Sequence, residues 1–304
     1  MRQTSLAGMA FCIGRGVHTG VRTRLTLRPA PANSGVRFRR VDMVAAGASE
    51  ADADILINPN TVGDTRLGVT LINAAGARVR TVEHVLAALS GLGVDNALIE
   101  LDGEEAPILD GSALVFARLI QSAGIRRYAA PRRVWAVRAA VEVRLDEAWA
   151  RFEPHASGFE IAATVDYADP GVGRQTFQGL IDAELFGAEI AAARTFGFAA
   201  EAAALRAQGL ALGSGLANTV VLDQGRVANP EGLRFADECV RHKVLDIIGD
   251  LAVAGAPIQG RYVVERPGHA VNHRALAALF ATPGALEAVT LGIDKDAARS
   301  SGAA

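Results

Sequence analysis

The stretch Glu238-Cys-Val-Arg-His-Lys-Val-Leu-Asp-Ile-Ile-Gly-Asp250 constrains this chain more than any other. His242 and Asp246 stand four apart, so on a helix their side chains leave one face, one turn apart. Asp250 extends that stripe by another turn, while Val240, Val244, Ile247, Ile248 and Leu251 fall on the opposite arc with Leu245 at its edge. A fold built on this helix must bury the apolar arc and find surroundings for the polar stripe. Two surroundings are open. The helix can lie at the surface with His242, Lys243, Asp246 and Asp250 facing water, the ordinary amphipathic arrangement, which periodicity alone favours. Alternatively the imidazole and the carboxylate grip one divalent cation.

The chain has only six histidines, so their positions carry information. His84 lies in Thr81-Val-Glu-His-Val-Leu86. A third ligand from there would complete a set of two histidines and one carboxylate with a fourth position open, as in catalytic zinc sites. Thr81 is expected to be a helix N-cap, with Glu83 and His84 in the first turn. The positive helix end disfavours imidazolium there and leaves His84 neutral, able to bind metal. Glu83 points about 100° away from His84. It could act as a base on a water whose pKa zinc lowers to about 7, or simply complement the helix dipole. His269, in Pro267-Gly-His-Ala270, is either an idle loop residue or a general acid that titrates near neutrality. Asp250 could orient and stabilise its imidazolium. His18, in Gly16-Val-His-Thr-Gly20, reads as a turn or substrate-rim residue, and His155 and His273 as surface residues.

Composition narrows the class. At 304 residues the chain has room for two domains, and 50% hydrophobic with 21% charged residues is a globular balance. A net charge of −2 gives no general attraction to nucleic acid, and no apolar run reaches the roughly 20 residues of a membrane helix. The start, Met1 to Cys12, has too short an apolar stretch for a secretion signal. Two cysteines, Cys12 and Cys239, make no disulfide framework, which suits a reducing cytoplasm. A monomer is expected. Basic residues are 29 arginines and two lysines, Lys243 and Lys295. Lysine is a compact point charge, so Lys243 beside His242 is either chance or a cation for a phosphate.

Alternation predicts strands at 22–28 and 36–40, the second pairing with the first across the Pro29–Gly35 turn. It also predicts strands at 96–101, 134–145, 149–153, 159–166, 219–223 and 260–265. Helices are expected at 81–89, 113–122, 182–193, 199–208, around His242, and from about Asn272. Arg126–Arg133 is the best linker, and the tail after Asp294 reads as disordered. Glu83–Leu89 and Arg241–Ile248 are alike, each a helix with an early histidine and a strand after it. This suggests two copies of one α+β unit sharing a site. Arg194-Thr-Phe-Gly-Phe198 is unusual in a chain with 5% aromatics: a core strand end, or a stacking face with a hydroxyl donor.

These stretches resemble the UDP-3-O-acyl-N-acetylglucosamine deacetylase family, zinc amidases of lipid A biosynthesis in Gram-negative bacteria. The matching segments are Gly16–Gly20, Leu27–Asn33, Thr81–Leu86, Pro107–Ser112, Ala193–Phe198, Gly232–Phe235, Arg241–Asp246 with Gly249-Asp250, and Gly268-His269, in order from about residue 3 to 295. The resemblance implies an α+β fold of two similar domains, each a sheet packed on helices, layered as a sandwich with the site between them. Residues 1–127 would form the first domain with a small β insert. Residues 128–304 would form the second, whose insert near Phe198 to Leu216 builds an acyl-chain passage. It implies Zn2+ on His84, His242 and Asp246, Glu83 as general base, His269 as general acid supported by Asp250, and Thr195 at the oxyanion. Phe196, Phe198, Glu201 and Lys243 would contact a UDP-linked acylated amino sugar. Some relatives carry a cysteine where this chain has Gly68, and the order of small residues in Leu212–Leu216 differs, which leaves the shape of the passage open. A zinc amidase on another N-acyl sugar and a silent binding module of the same fold are the alternatives.

Overall fold

The computed structural model describes residues 1–292. The expected disordered tail after Asp294 lies outside them, as does Lys295. The chain folds as α+β, with sheets packed on helices. A five-stranded sheet runs in the order Ala10–Arg15, Arg22–Pro29, Ala97–Leu101, Val36–Arg40, Asp54–Leu56. Its strands alternate between buried and more exposed residues, as in Val36–Arg40, so one face is apolar and one polar. In a second, seven-stranded sheet Ile258–Glu265 is central. It is flanked by Ala148–Glu153 antiparallel and Phe159–Asp166 parallel, and joins Arg133–Val137 at its start. Smaller sheets are Val62–Asp64, Thr70–Ile72, Arg78–Arg80, and Phe196–Phe198, Val220–Asp223, Arg226–Val227.

The helices Glu83–Gly91 and Leu114–Ala123 pack together against the first sheet's side of the core, and Glu238–Leu251 and His269–Ala281 against the second's. The two groups meet where the Glu83 helix crosses the His242 helix. That crossing requires Gly249. A Cβ there would sit 2.0 Å from the carbonyl oxygen of Glu83 and 2.9 Å from its Cα. Among the described residues, no helix is long and apolar enough to cross a membrane.

Several local expectations are corrected. Val36–Arg40 does not pair with Arg22–Pro29: both flank Ala97–Leu101, the first parallel and the second antiparallel to it. A strand that buries one apolar face gains more by sitting centrally than by closing a local hairpin, and the Pro29–Gly35 turn permits either. The linker Arg126–Arg133 is largely strand, Ile125–Pro131, paired with Arg2–Leu6. Thr81 is not the N-cap. It has φ +55, its hydroxyl donates to Glu105, and the helix starts after Val82 without a side-chain cap. The helix expected from Asn272 begins at His269. Strands Arg174–Ile181 and Leu286–Thr290 were not anticipated.

Gly249→Ala is therefore expected to destabilise the protein by about 1–3 kcal/mol through overpacking. It should also weaken metal binding, because the helix carrying His84 must move away from the helix carrying His242 and Asp246. Denaturant unfolding alongside a metal titration checks this; an unchanged metal affinity would show that the crossing does not set the site.

Candidate metal centre and active site

The polar stripe does not face water. Every residue of Glu238–Leu251 except Arg241 and Lys243 is buried, including His242, Asp246 and Asp250. What covers the stripe is the Glu83 helix, itself buried at every position but Ser90. His84, His242 and Asp246 come together there, each offering one ligand atom within 4.8 Å of the others. The imidazoles meet edge to face at 5.1 Å. His242 Nε2 is 3.3 Å and His84 Nε2 3.7 Å from Asp246 Oδ1.

The electrostatics suit a cation. Burial pushes His84 down to about 3, with His242 adding to it, and burial also lowers His242 against the pull of Asp246. Both imidazoles are therefore neutral. Burial alone would raise Asp246, but the positive charges of Lys243 and His269 outweigh it and hold the carboxyl well below its ordinary range. Lys243 Nζ donates to Asp246 Oδ2 at 2.9 Å. The ring of His242 is fixed by its Nδ1, 3.1 Å from the carbonyl of Ala193. Asp246 Oδ1 and His84 Nδ1 are buried without a hydrogen-bond partner. Unpaired buried acceptors are costly. Two neutral imidazoles around one ionised carboxylate with an orphaned oxygen fit a divalent metal of the catalytic zinc type.

Glu83 sits beside this trio. Its Oε2 accepts the backbone N–H of Val69 at 3.0 Å, and Oε1 lies 3.9 Å from His269 Nε2. Burial raises its carboxyl to about 7, with His269 opposing and Asp246 and Asp250 adding to the rise. His269 Nδ1 lies 2.9 Å from both oxygens of Asp250. Burial would lower His269, but Asp250 overrides it and the pKa rises to about 9. Asp250 is in turn held by Asn272 Nδ2 at 2.7 Å, and Asn272 Oδ1 accepts from Tyr262 at 3.0 Å. His273, expected at the surface, is largely buried, with Nε2 3.8 Å from Asp250. It is one turn beyond His269, a spacing that was readable, but its partner comes from another helix.

The Thr195 stretch is tied to the His242 helix by a buried ion pair. Arg194 meets Glu238 through Nε and Nη2 at 2.9 and 3.1 Å, and Glu238 also accepts the Arg194 N–H at 2.9 Å. The Thr195 backbone is held by Gly111 and Val220. Phe196 lies 6.4 Å from His242, and Lys243 Nζ is 5.6 Å from the Phe196 ring. Tyr167, which sequence reasoning passed over, packs at 5.5 Å on Phe196 and 5.8 Å on Phe198. Its signal was slight: one of three tyrosines, at a strand end before Asp169-Pro170. Phe198 and Glu201 line an open cleft of about 650 Å³ with Asp169 and Asp223. A second cleft of about 360 Å³, lined by His18, Leu67, Gly68, Thr81 and Leu210, opens beside Glu83. A Cβ at Gly68 would lie 3.1 Å from Glu83 Oε1. His18, expected at a turn or rim, lies 2.7 Å through Nε2 from the carbonyl of Leu67. His155 is partly exposed beside Ser157 and Glu160. Cys12 and Cys239 are free thiols pushed up to about 12 by burial and carry no chemistry here.

A sequence profile described as UDP-3-O-acyl N-acetylglycosamine deacetylase matches residues 3–281. The chain is 43% identical over 300 residues to the UDP-3-O-acyl-N-acetylglucosamine deacetylase of Thioalkalivibrio sulfidiphilus, covering 98% of this chain and 96% of that one. It is 45% identical over 294 residues to the protein of the same name from Phenylobacterium zucineum, covering 97% and 98%.

The His269–Asp250 pair generates a titration. A histidine raised in the folded state adds stability that is complete below its ordinary pKa and is lost as pH climbs through the raised value. In the metal-free protein, NMR should put the His269 midpoint near 9. Asp250→Asn should lower it clearly, because burial is then opposed only by Glu83 and Asp246. An unmoved midpoint would remove Asp250 as the cause.

Proposed function

The chain belongs to the UDP-3-O-acyl N-acetylglycosamine deacetylase family, and from that premise we propose that it hydrolyses the N-acetyl group of a UDP-3-O-acyl-N-acetylglucosamine, releasing acetate, in lipid A biosynthesis. We read it as a cytoplasmic monomer of two α+β units meeting near residues 127 and 128, within the strand Ile125–Pro131. The observation that carries the activity is a buried His84–His242–Asp246 trio with Glu83 next to His84 and an ion-paired His269 3.9 Å from Glu83.

His84, His242 and Asp246 would hold a zinc ion, which when bound polarises a carbonyl and makes water more acidic. Glu83 is the base. Its raised pKa keeps it ionised only from neutrality upward, where a carboxylate is basic enough to take a proton from the attacking water. The Val69 N–H holds its second oxygen, leaving Oε1 free for that proton. His269 is the acid. Asp250 keeps it protonated at neutral pH and bonded through Nδ1, so Nε2 is the nitrogen that delivers a proton to the departing amine. Amide cleavage needs that proton because the amine leaves poorly without it. Thr195 supplies a hydroxyl to the developing oxyanion, on a backbone fixed by Gly111 and by the Arg194–Glu238 pair. Phe196 and Phe198 give the substrate an aromatic wall, Glu201 meets the sugar, and Lys243 faces the diphosphate, sharing its charge with Asp246.

Acetate release from the UDP-sugar, measured with metal content, tests this. His242→Ala should lose both metal and activity, and chelation should abolish activity reversibly. Glu83→Ala and His269→Ala should keep the metal and lose about 10²-fold or more in rate. Acetate release only from other N-acyl sugars would replace the substrate, and none from any would leave a binding module. Retained metal in His242→Ala would remove that residue from the site.

A further inference from the structure

Glu105 is a carboxylate that the mechanism does not use, and it is 1% exposed. Its charge is met by two backbone amides and two hydroxyls. Oε1 accepts the His18 N–H at 2.8 Å and the Thr81 hydroxyl at 3.1 Å. Oε2 accepts the Thr19 N–H at 2.8 Å and the Thr19 hydroxyl at 2.6 Å. Charge-assisted bonds of this kind are about twice as strong as neutral ones. Glu105 thereby joins two distant segments, the Gly16–Gly20 loop and the left-handed Thr81 that leads into the Glu83 helix. The fit is tight: a Cβ on Gly16 would lie 2.1 Å from Oε2.

The clamped loop holds a third segment with its other face. Leu212 N–H donates to His18 O and Gly213 N–H to Val17 O, both at 3.0 Å. A Cβ on Gly213 would lie 2.2 Å from Gly16 O, so the two backbones are in contact. The loop thus ties residues 212 and 213 next to the cleft that opens beside Glu83, whose wall His18 and Leu210 help to form. Around this crossing Val21, Leu67 and Leu212 remain exposed, each by more than half. Exposed apolar side chains gathered at the rim of a cleft are the kind of surface an alkyl chain covers.

We propose that Glu105 is a positioning residue for the acylated substrate: by clamping the Gly16–Gly20 loop to the start of the Glu83 helix, it holds Leu212–Gly213 at the rim of the cleft, against the acyl chain. This rests on the deacetylase reading for its substrate, but the clamp has a readout that needs no turnover. Glu105→Gln places a donor where the carboxylate accepts from amides, so the loop should loosen. In the metal-loaded full chain, amide exchange at Leu212 and Gly213 should quicken by about tenfold, with Leu86 and Leu245 unchanged. The ratio of kcat/KM for the acylated UDP-sugar to that for UDP-N-acetylglucosamine should fall by about tenfold, mainly through KM, at constant zinc content. Thr19→Val, which keeps the backbone amide bond to Glu105 but loses the hydroxyl's bond to Glu105 and its acceptance of the Val21 N–H, should move both readouts the same way by less, and it carries the test if Glu105→Gln does not fold. Unchanged exchange at Leu212 and Gly213 would overturn the clamp, as would exchange quickened throughout the chain. Equal losses on the two substrates would overturn the acyl role. If the parent released no acetate at all, the functional reading would fail while the exchange experiment still decided the clamp.

Discussion

The close crossing of two helices at Gly249 is the contact on which the site depends. His84 comes from one helix, His242 and Asp246 from the other, and their ligand atoms converge only because the Glu83 backbone reaches the Gly249 Cα without a side chain between. The same crossing brings Glu83 to within 3.9 Å of His269. Protein interiors are packed to crystal-like density, so a contact of backbone on backbone leaves no slack to be taken up elsewhere. The surrounding apolar residues, from Val85 and Leu86 on one helix to Leu245 and Ile248 on the other, hold the crossing rather than define it.

Burying so many polar groups between helices is tolerable because nearly each has a partner. Glu238 takes Arg194 and two amides, Glu105 takes two amides and two hydroxyls, and Asp250 takes His269 and Asn272. Breaking one side of such a pair leaves an uncompensated buried charge. Among the described residues the exceptions are Asp246 Oδ1 and His84 Nδ1 in the trio, and His273 Nε2 near Asp250. The orphaned atoms belong to two residues that would hold a cation and to a histidine 3.8 Å from the carboxylate that charges His269, so among the described residues the unsatisfied buried side-chain atoms gather at the site.

The sequence was most informative where a local period carries the meaning. His242, Asp246 and Asp250 share a helix face by spacing alone, and strands such as Phe159–Asp166 follow from alternation. The period could not say what faces that stripe. The solvated alternative failed because a second buried helix covers it, a fact about tertiary contact between residues more than 150 positions apart. Thr81 misled for a related reason: its hydroxyl has the chemistry of an N-cap, but Glu105 competes for it and wins. Ile125–Pro131 looked like a linker because its arginines face water on a short two-stranded sheet. His273, Asn272 and Glu105 were illegible because each acquires its role from a partner on another element.

Three histidines around one site show how far position, not residue type, decides chemistry. His84 and His242 have burial and each other's company, with one carboxylate between them that Lys243 already engages, so both stay neutral and keep a lone pair for a metal. His269 starts its own helix, where the dipole should also disfavour a charge. It nevertheless keeps its proton, because Asp250 receives Nδ1 at 2.9 Å on both oxygens and is itself locked by Asn272. The pairing wins over burial and dipole because an ion pair at that distance in a poorly solvated interior is stronger than either. Glu83 completes the division. It is raised towards neutrality by the same burial that lowers the two ligand histidines, so base and acid are poised in opposite states within 3.9 Å of each other. Environments that push neighbouring titratable groups apart are what let one cleft take a proton and give one within a single reaction.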